Sequence, residues 1–300
     1  MKILVTGASG FIGRRFVNLV LSSGVHEIVS LGEQACGTAG VREIIAKDIT
    51  SRACEEDLRG MGIEAIVHLA AAGVNPADRG TGRLIETNAI LPSKVVEMAS
   101  RCGIGAVVMS GSCSEYLVPD PPEPIRETVG FETTKLYGST KAAGGMLALA
   151  VGAALGVRVC VGRIFNAYGP GEAEHRLLPS LIRSLSRGER ASMSTGEQVR
   201  DFVFVDDICE GLLRFATALS GGEVESGAYN ICTGIGTRVA DMARMAARAM
   251  GKDEALLGFG DLPMRPDEYM NVVGDPSKTK RALNWMPATS VEDGIGKTIP

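Results

Sequence analysis

The sequence predicts an α/β fold, a doubly wound parallel sheet followed by a smaller α/β C-terminal domain, and three observations carry that prediction. Short β-branched and apolar runs alternate with longer segments of helical apolar spacing through the first half of the chain. A glycine turn, Gly7-Ala8-Ser9-Gly10-Phe11-Ile12-Gly13, joins the first run to the first helical segment. After about Asn166 glycine and proline become denser and the alternation breaks down. Strands that alternate with helices imply parallel pairing, because each crossover helix covers one face of the sheet.

In chain order, strands are expected at residues 2–6, 27–31, 65–68, 106–110 and 157–163. Helices fall at roughly 11–23, 83–102 and 136–155, bounded by glycine or polar residues of the kind that end helices. Residues 119–124 read as a surface loop. The second half shows helical spacing at 177–187, 206–219 and 239–250, joined by irregular segments. The boundary is therefore drawn between 1–165 and 166–300, with apolar runs at 202–205 and 229–231 able to return to the first domain's sheet.

Bulk composition narrows the function. The 300 residues are 45% hydrophobic and 22% charged, which suits a soluble globular protein with a sizeable core. With 31 basic against 35 acidic residues, a net charge of -4 and no long like-charge run, there is no footprint for nucleic acid or an anionic membrane. Seven cysteines without a CxxC arrangement indicate thiols of a reducing compartment rather than a disulfide framework. The histidines are His26, His68 and His175, and no metal site is expected. The N-terminal Met-Lys-Ile-Leu-Val-Thr-Gly reaches its glycine turn too soon for a signal peptide or a spanning helix, so a cytoplasmic location is expected.

The glycine turn follows a strand and opens a helix, the context a phosphate-binding turn needs. Glycine lets the backbone turn tightly and approach a pyrophosphate, and the helix N-terminus supplies free N–H groups and partial positive charge. A tight turn without ligand is the alternative, and the strand before and amphipathic run after argue against it. The first domain thus reads as Rossmann-type, with Gly7, Gly10, Phe11, Ile12 and Gly13 at the cofactor. The acidic residue that usually ends the second strand to bind the ribose of NAD is absent, because Gly32 follows Leu31. This favours NADP, with NAD still possible. Arg14, Arg15 or Arg42 are candidates for a 2′-phosphate, against which Glu33 would act. Asp48 and Ile49 follow another apolar stretch and suit the adenine end. Leu69, Ala70 and Ala71 have side chains compatible with close passage of a flat cofactor.

Tyr137 and Lys141 stand four residues apart, on one face of a helix. An ammonium beside a phenol favours the phenolate and lets tyrosine exchange protons with a substrate hydroxyl. Such a pair is common by chance and draws its meaning from its neighbours. Ser110, Ser112 and Ser114 cluster at the carboxyl end of the strand at 106–110, where ligands bind in parallel sheets. Spacing does not choose among the three.

Taken together, these motifs resemble the extended short-chain dehydrogenase/reductases that modify nucleotide sugars, over nearly the whole chain. The resemblance implies that Ser112 is the catalytic hydroxyl, that Tyr137 is the acid–base residue, and that Lys141 also binds the nicotinamide ribose. It implies substrate contacts from Asn88, Ser114 and Asn166. It further implies that Arg200, in Gly-Glu-Gln-Val-Arg-Asp-Phe, and Arg265, in Leu-Pro-Met-Arg-Pro, hold the diphosphate. Without it, Arg200 beside Asp201 reads as an ion pair and Arg265 as an exposed side chain. Trp285, in the family's closing signature, is expected to pack rather than react.

Family resemblance leaves the reaction open. Dehydratases of this kind carry an Asp-Glu pair directly after the catalytic hydroxyl, where this chain has Cys113 and Ser114. Losing such general acid–base assistance costs roughly 10²–10⁴-fold per group, which disfavours dehydration. The absent NAD carboxylate then points to reduction of the 4-keto group of a nucleoside-diphosphate 4-keto-6-deoxyhexose with NADP. A 4-epimerase with tightly bound NAD is the alternative, and intact Ser112, Tyr137 and Lys141 oppose a catalytically inactive binder. The substrate partner is a nucleotide sugar. A homodimer through the small, apolar helix face at 142–154 is expected, although an internally buried helix would look the same.

Overall fold

The computed structural model describes residues 1–75 and 78–299. Its strands are β1 (Lys2–Thr6), β2 (Glu27–Gly32), β3 (Arg42–Ile45), β4 (Ala65–His68), β5 (Ala106–Ser112), β6 (Arg158–Ile164) and β7 (Asn166–Tyr168). The remaining strands are β8 (Ala191–Met193), β9 (Val199–Arg200), β10 (Phe202–Phe204), β11 (Gly227–Ile231), β12 (Thr237–Arg238), β13 (Leu257–Phe259) and β14 (Asn271–Val272). The helices are α1 (Phe11–Ser22), α2 (Arg52–Leu58), α3 (Thr81–Leu84), α4 (Leu91–Arg101), α5 (Leu136–Leu155), α6 (Leu177–Ser186), α7 (Val205–Gly221), α8 (Val239–Ala249), α9 (Ser277–Leu283) and α10 (Val291–Gly296).

Seven parallel strands form one sheet in the order β11-β6-β5-β4-β1-β2-β3. Its inner strands are buried on both faces. In β1, Ile3 and Val5 join one apolar cluster with Phe16, Val20, Leu212 and Phe215, while Leu4 joins another with Val95, Met98 and Leu58. That split follows from the period of two along a strand. The chain leaves β1 for β2 and β3 on one side and returns to β4 on the other, so strand order reverses beside β1. In open α/β sheets, ligands bind at the carboxyl ends of the strands at such a reversal.

Two expected elements differ. The strand predicted at 202–205 does not return to the main sheet. It is β10, paired in parallel with β7, and Phe202 and Phe204 pack their rings around Tyr168 with centroids 6.1 and 5.7 Å away. The run at 229–231 does return, as the edge strand β11, with Tyr229 packed 4.9 Å from the ring of Phe215 on α7. Residues 205–231 thus serve the first sheet although they follow 166 in sequence. The helix predicted at 83–102 is broken into α3, a wide π-helical turn at Ile85–Ile90, and α4. The sequence reading also missed β3, in which Ile44 is the buried residue, and the short α2.

All seven cysteines are free thiols. Among the described residues no helix is long and apolar enough to cross a membrane, and no cluster of His, Cys, Asp or Glu is arranged to hold a metal ion.

Helix α5 is fitted most closely to its neighbours. Its glycines face inward, and a Cβ at Gly144 would lie 1.9 Å from the carbonyl oxygen of Asn88, one at Gly138 2.0 Å from that of Ser114. Larger side chains, Met146, Leu147 and Leu155, are exposed on α5. Gly144→Ala is expected to force α5 away from the π-helical turn and to destabilise the protein by roughly 1–3 kcal/mol, the range for overpacked sites. A lowered midpoint in urea unfolding, read against Gly296→Ala, where a Cβ meets open space, checks this.

Candidate active site

A cleft of about 740 Å³ opens at the carboxyl ends of β1, β2 and β4, lined by Gly7, Gly10, Glu33, Asp48, Ile49, Leu69, Ala70 and Ala71 among others. Gly7 sits at φ 72°, and a Cβ there would lie 2.5 Å from the amide nitrogen of Ala70. The turn therefore rests directly on the end of β4. Gly10 caps α1 without a side-chain hydrogen bond, and no acidic residue stands in the first turn. Its amides and dipole are free to meet an anion, as a pyrophosphate requires. Gly13 seats α1 on this turn, since its Cβ would meet the oxygen of Gly7 at 2.1 Å, while Phe11 and Ile12 pack toward the core. These three are held by packing at the start of α1, next to Gly10 at the mouth of the cleft.

The arginines considered for a 2′-phosphate lie elsewhere. Arg15 is held by Asp206 through bonds of 2.8 and 2.5 Å, and Arg42 lines a separate depression. Arg14 is exposed and does not line the cleft. Glu33 and Lys47 do line it. Asp48 accepts from the amide and hydroxyl of Thr50, which lower its pKa and keep it ionised. Carboxylates suit ribose hydroxyls and oppose a 2′-phosphate.

Beside this cleft, α5 presents Tyr137 and Lys141 to the ends of β4 and β5. Lys141 is buried and donates from Nζ to the carbonyl of Ser110 at 2.5 Å. Burial lowers its pKa, with the charge of Glu115 opposing. Burial also pushes the Tyr137 phenol up to about 12, aided by Cys113 and Glu115, while the hydrogen-bonding Ser112 side chain pulls it down. Burial thus outweighs every influence that would acidify Tyr137 in this arrangement, while the Lys141 ammonium donates to β5. Tyr137 is a neutral phenol at neutral pH. Below it, His68 shares Nδ1 with the Thr6 hydroxyl at 2.7 Å, and burial, with the Lys141 charge, holds its pKa down to about 3.

Geometry separates the three serines. Ser110 gives its carbonyl to Lys141, and Ser114 lines the neighbouring cavity. Ser112 is the one whose side chain draws the Tyr137 phenol down against burial. A capping box fixes it: Ser112 Oγ accepts from the Ser114 amide at 3.1 Å, and Glu115 Oε1 accepts from the Ser112 amide at 2.7 Å. The other oxygen of Glu115 accepts from Arg163 Nε at 2.7 Å in a buried ion pair, and the Arg163 guanidinium lies over the ring of Tyr116.

Next to Tyr137 is a cavity of about 240 Å³ containing Cys113, Ser114, Asn166, Arg200 and Arg265. A second, of about 260 Å³, shares Arg79, Asn166, Arg200 and Arg265 with it. The partners of Asn88 and Arg200 are also fixed here. Asn88 lines neither: its amide accepts from the Ala72 amide at 2.9 Å and donates to the Ala72 carbonyl at 3.0 Å, which makes it a clamp on the segment after β4. Arg200 does not pair with Asp201. Neighbouring residues of an extended chain point to opposite sides. Arg200 therefore reaches the cavity and pairs with Glu268, while Asp201 turns inward to bind Thr233 and Gly234. No carboxylate pairs with Arg265 among the described residues.

Residues 3–232 match the model of the NAD dependent epimerase/dehydratase family. The chain belongs to that family. Over 313 residues it is 28% identical to the dTDP-glucose 4,6-dehydratase of Mycolicibacterium smegmatis, with 100% of this chain and 92% of that relative covered. It is 27% identical over 328 residues to the UDP-glucose 4-epimerase of Bacillus subtilis, with 98% and 94% covered. Among solved structures, MoeE5 in complex with UDP-glucuronic acid and NAD aligns with a TM-score of 0.85 at 28% identity, covering 100% of this chain and 98% of that one.

Within this epimerase/dehydratase site, sequence reasoning missed the Glu115–Arg163 pair, although Ser112-Cys113-Ser114-Glu115 has the spacing of a capping box. It also missed Arg79, whose Nε donates to the Gly73 carbonyl at 3.0 Å and whose guanidinium lies 5.8 Å from the Tyr137 ring centroid. No motif marks that arginine. Arg163→Met is expected to leave Glu115 buried without its partner and to cost about 3–5 kcal/mol of stability. Chemical denaturation measures the loss, and Arg163→Met combined with Glu115→Gln should recover part of it.

Proposed function

We propose that this family member is an NAD-dependent 4-epimerase acting on a nucleoside-diphosphate sugar. The observation that carries the reading is the cavity lined by Tyr137, in which Arg79, Arg200 and Arg265 converge and Cys113 and Ser114 stand where a dehydratase would carry its acid–base pair. Bound NAD would supply reversible hydride transfer at a sugar carbon. The glycine turn and the α1 N-terminus suit its pyrophosphate, and Asp48 and Glu33 suit the adenosine end. Tyr137 would exchange the proton of the reacting hydroxyl, and Ser112 would hydrogen-bond the oxygen as charge develops on it. Arg200 and Arg265 would hold the two phosphates, with Arg200 exchanging Glu268 for a phosphate.

Dehydration fits less well, although dehydratases stand among the relatives. Burial pushes the Cys113 thiol up to about 12, so it is a poor acid for a leaving hydroxyl. The reductase favoured by sequence rested on NADP, and its premise weakens because Glu33 lines the cleft while Arg14, Arg15 and Arg42 do not. The NAD bound by MoeE5 and the 4-epimerase among the relatives support the epimerase instead. On the same reading, the exposed Met146, Leu147 and Leu155 of α5 face a second copy of the chain in a homodimer.

Purified protein is expected to carry NAD and to interconvert the C4 epimers of a UDP- or dTDP-linked hexose with no net change at the reduced-nicotinamide absorbance band. Stoichiometric oxidation of added NADPH by a 4-keto-6-deoxy nucleotide sugar would replace this reading with the reductase. Tyr137→Phe should lower kcat by roughly 10²–10⁴-fold, the usual worth of a general acid–base group, while NAD still copurifies.

A further inference from the structure

Two polar atoms near the site lack partners. Glu172 follows β7 in the loop that leads to α6, and its side chain is 6% exposed. One carboxyl oxygen accepts from Arg176 Nε at 3.1 Å. The other is buried and has no hydrogen-bond partner among the described residues, and the same holds for Nδ2 of Asn166, at the start of β7. Both residues line the 260 Å³ cavity. Through Asn166 and the shared arginines, that cavity is continuous with the one that holds Tyr137.

Buried polar atoms are almost always satisfied, so two left without partners on residues that line one cavity point to a ligand or water that completes the bonding there. The diphosphate is not that ligand, because a carboxyl repels it and Arg200 and Arg265 of the same cavity already answer it. Carboxyl and amide together match a hydroxyl, which donates to one and accepts from the other. Burial pushes the Glu172 carboxyl up to about 7, with Arg176 opposing. Near neutrality it is therefore present both as donor and as acceptor, and a hydroxyl can answer either form. A carboxylate on the ligand would meet repulsion from the ionised form.

We propose that Glu172 and Asn166 together bind a hydroxyl of the sugar ring, and that Glu172 selects neutral hexoses over uronic acids. This rests on the reading of the site as one for nucleoside-diphosphate sugars, and it makes Glu172 a specificity residue that no sequence motif marks.

Calorimetric titration with UDP, UDP-glucose and UDP-glucuronic acid, and with dTDP and dTDP-glucose should the uridine compounds not bind, tests it without requiring turnover. Wild-type protein should favour the glucose conjugate over the glucuronic acid conjugate. Glu172→Leu should weaken the glucose conjugate roughly tenfold or more, as expected for loss of a hydrogen bond to an ionisable group, and leave the free diphosphate within about twofold. Unchanged diphosphate binding also shows that the variant is folded. Glu172→Gln should keep the glucose conjugate within a few-fold, about what exchange of one hydrogen-bonding group for another allows, and raise relative affinity for the glucuronic acid conjugate. Equal weakening of diphosphate and sugar conjugate would place Glu172 at the ribose or in the fold and overturn the proposal, as would no change in any affinity. Should wild-type protein bind no sugar conjugate more tightly than its diphosphate, the epimerase reading falls too. Normal wild-type binding and epimerisation with indifferent Glu172 variants would remove this inference alone.

Discussion

Helix α5 brings Tyr137 and Lys141 to the carboxyl ends of β4 and β5 by touching backbone with backbone. At Gly138 and Gly144 the helix lies so close to the Ser114 and Asn88 carbonyls that no Cβ fits between. Everything at the reacting end depends on that contact. It buries Lys141 deeply enough to reach the Ser110 carbonyl, places the phenol beside Ser112, and gives the π-helical turn at Ile85–Ile90 a fixed surface to lie on. In turn that wide turn carries Asn88 inward, where it clamps Ala72 at the start of the segment that leads to Arg79.

Burial is also what tunes the chemistry. Desolvation disfavours the charged forms of Tyr137, Lys141 and His68 alike, raising the first and lowering the other two. The result is a buried centre in which the charged forms are disfavoured, bounded by a buried ion pair at Glu115 and Arg163 and by the arginines of the adjoining cavities. Such a centre holds its proton on tyrosine until a ligand changes the surroundings. The dinucleotide cleft is lined by both signs of charge, with Glu33 and Asp48 beside Lys47, Arg83 and Lys94.

The second half of the chain serves both sides of that crevice. Asn166 begins the small β7–β10 sheet, α7 and β11 return to the large sheet, and Arg200 and Arg265 lean over the site from segments that precede and follow this return. Threading of this kind ties the covering segment to the scaffold by strand pairing and by the packing of Tyr229 on Phe215.

Much of this was legible in the sequence. Period-two and helical spacing located β1, β4 and α5 residue for residue, because their burial is regular and their ends are marked by glycine or polar side chains. The glycine turn and the Tyr137–Lys141 spacing are local patterns with local meaning, and both lie where the crevice forms. Tertiary structure decided the rest. It set Ser112 in a capping box with Glu115, tied Asn88 to the backbone of Ala72, brought Lys141 to the carbonyl of Ser110, and assigned the run at 229–231 but not that at 202–205 to the large sheet. Each outcome depends on a partner far away in sequence, such as Arg163 for Glu115 or Tyr168 for Phe202. Periodicity records which face a residue turns inward, but what it meets there is set by how the faces are stacked.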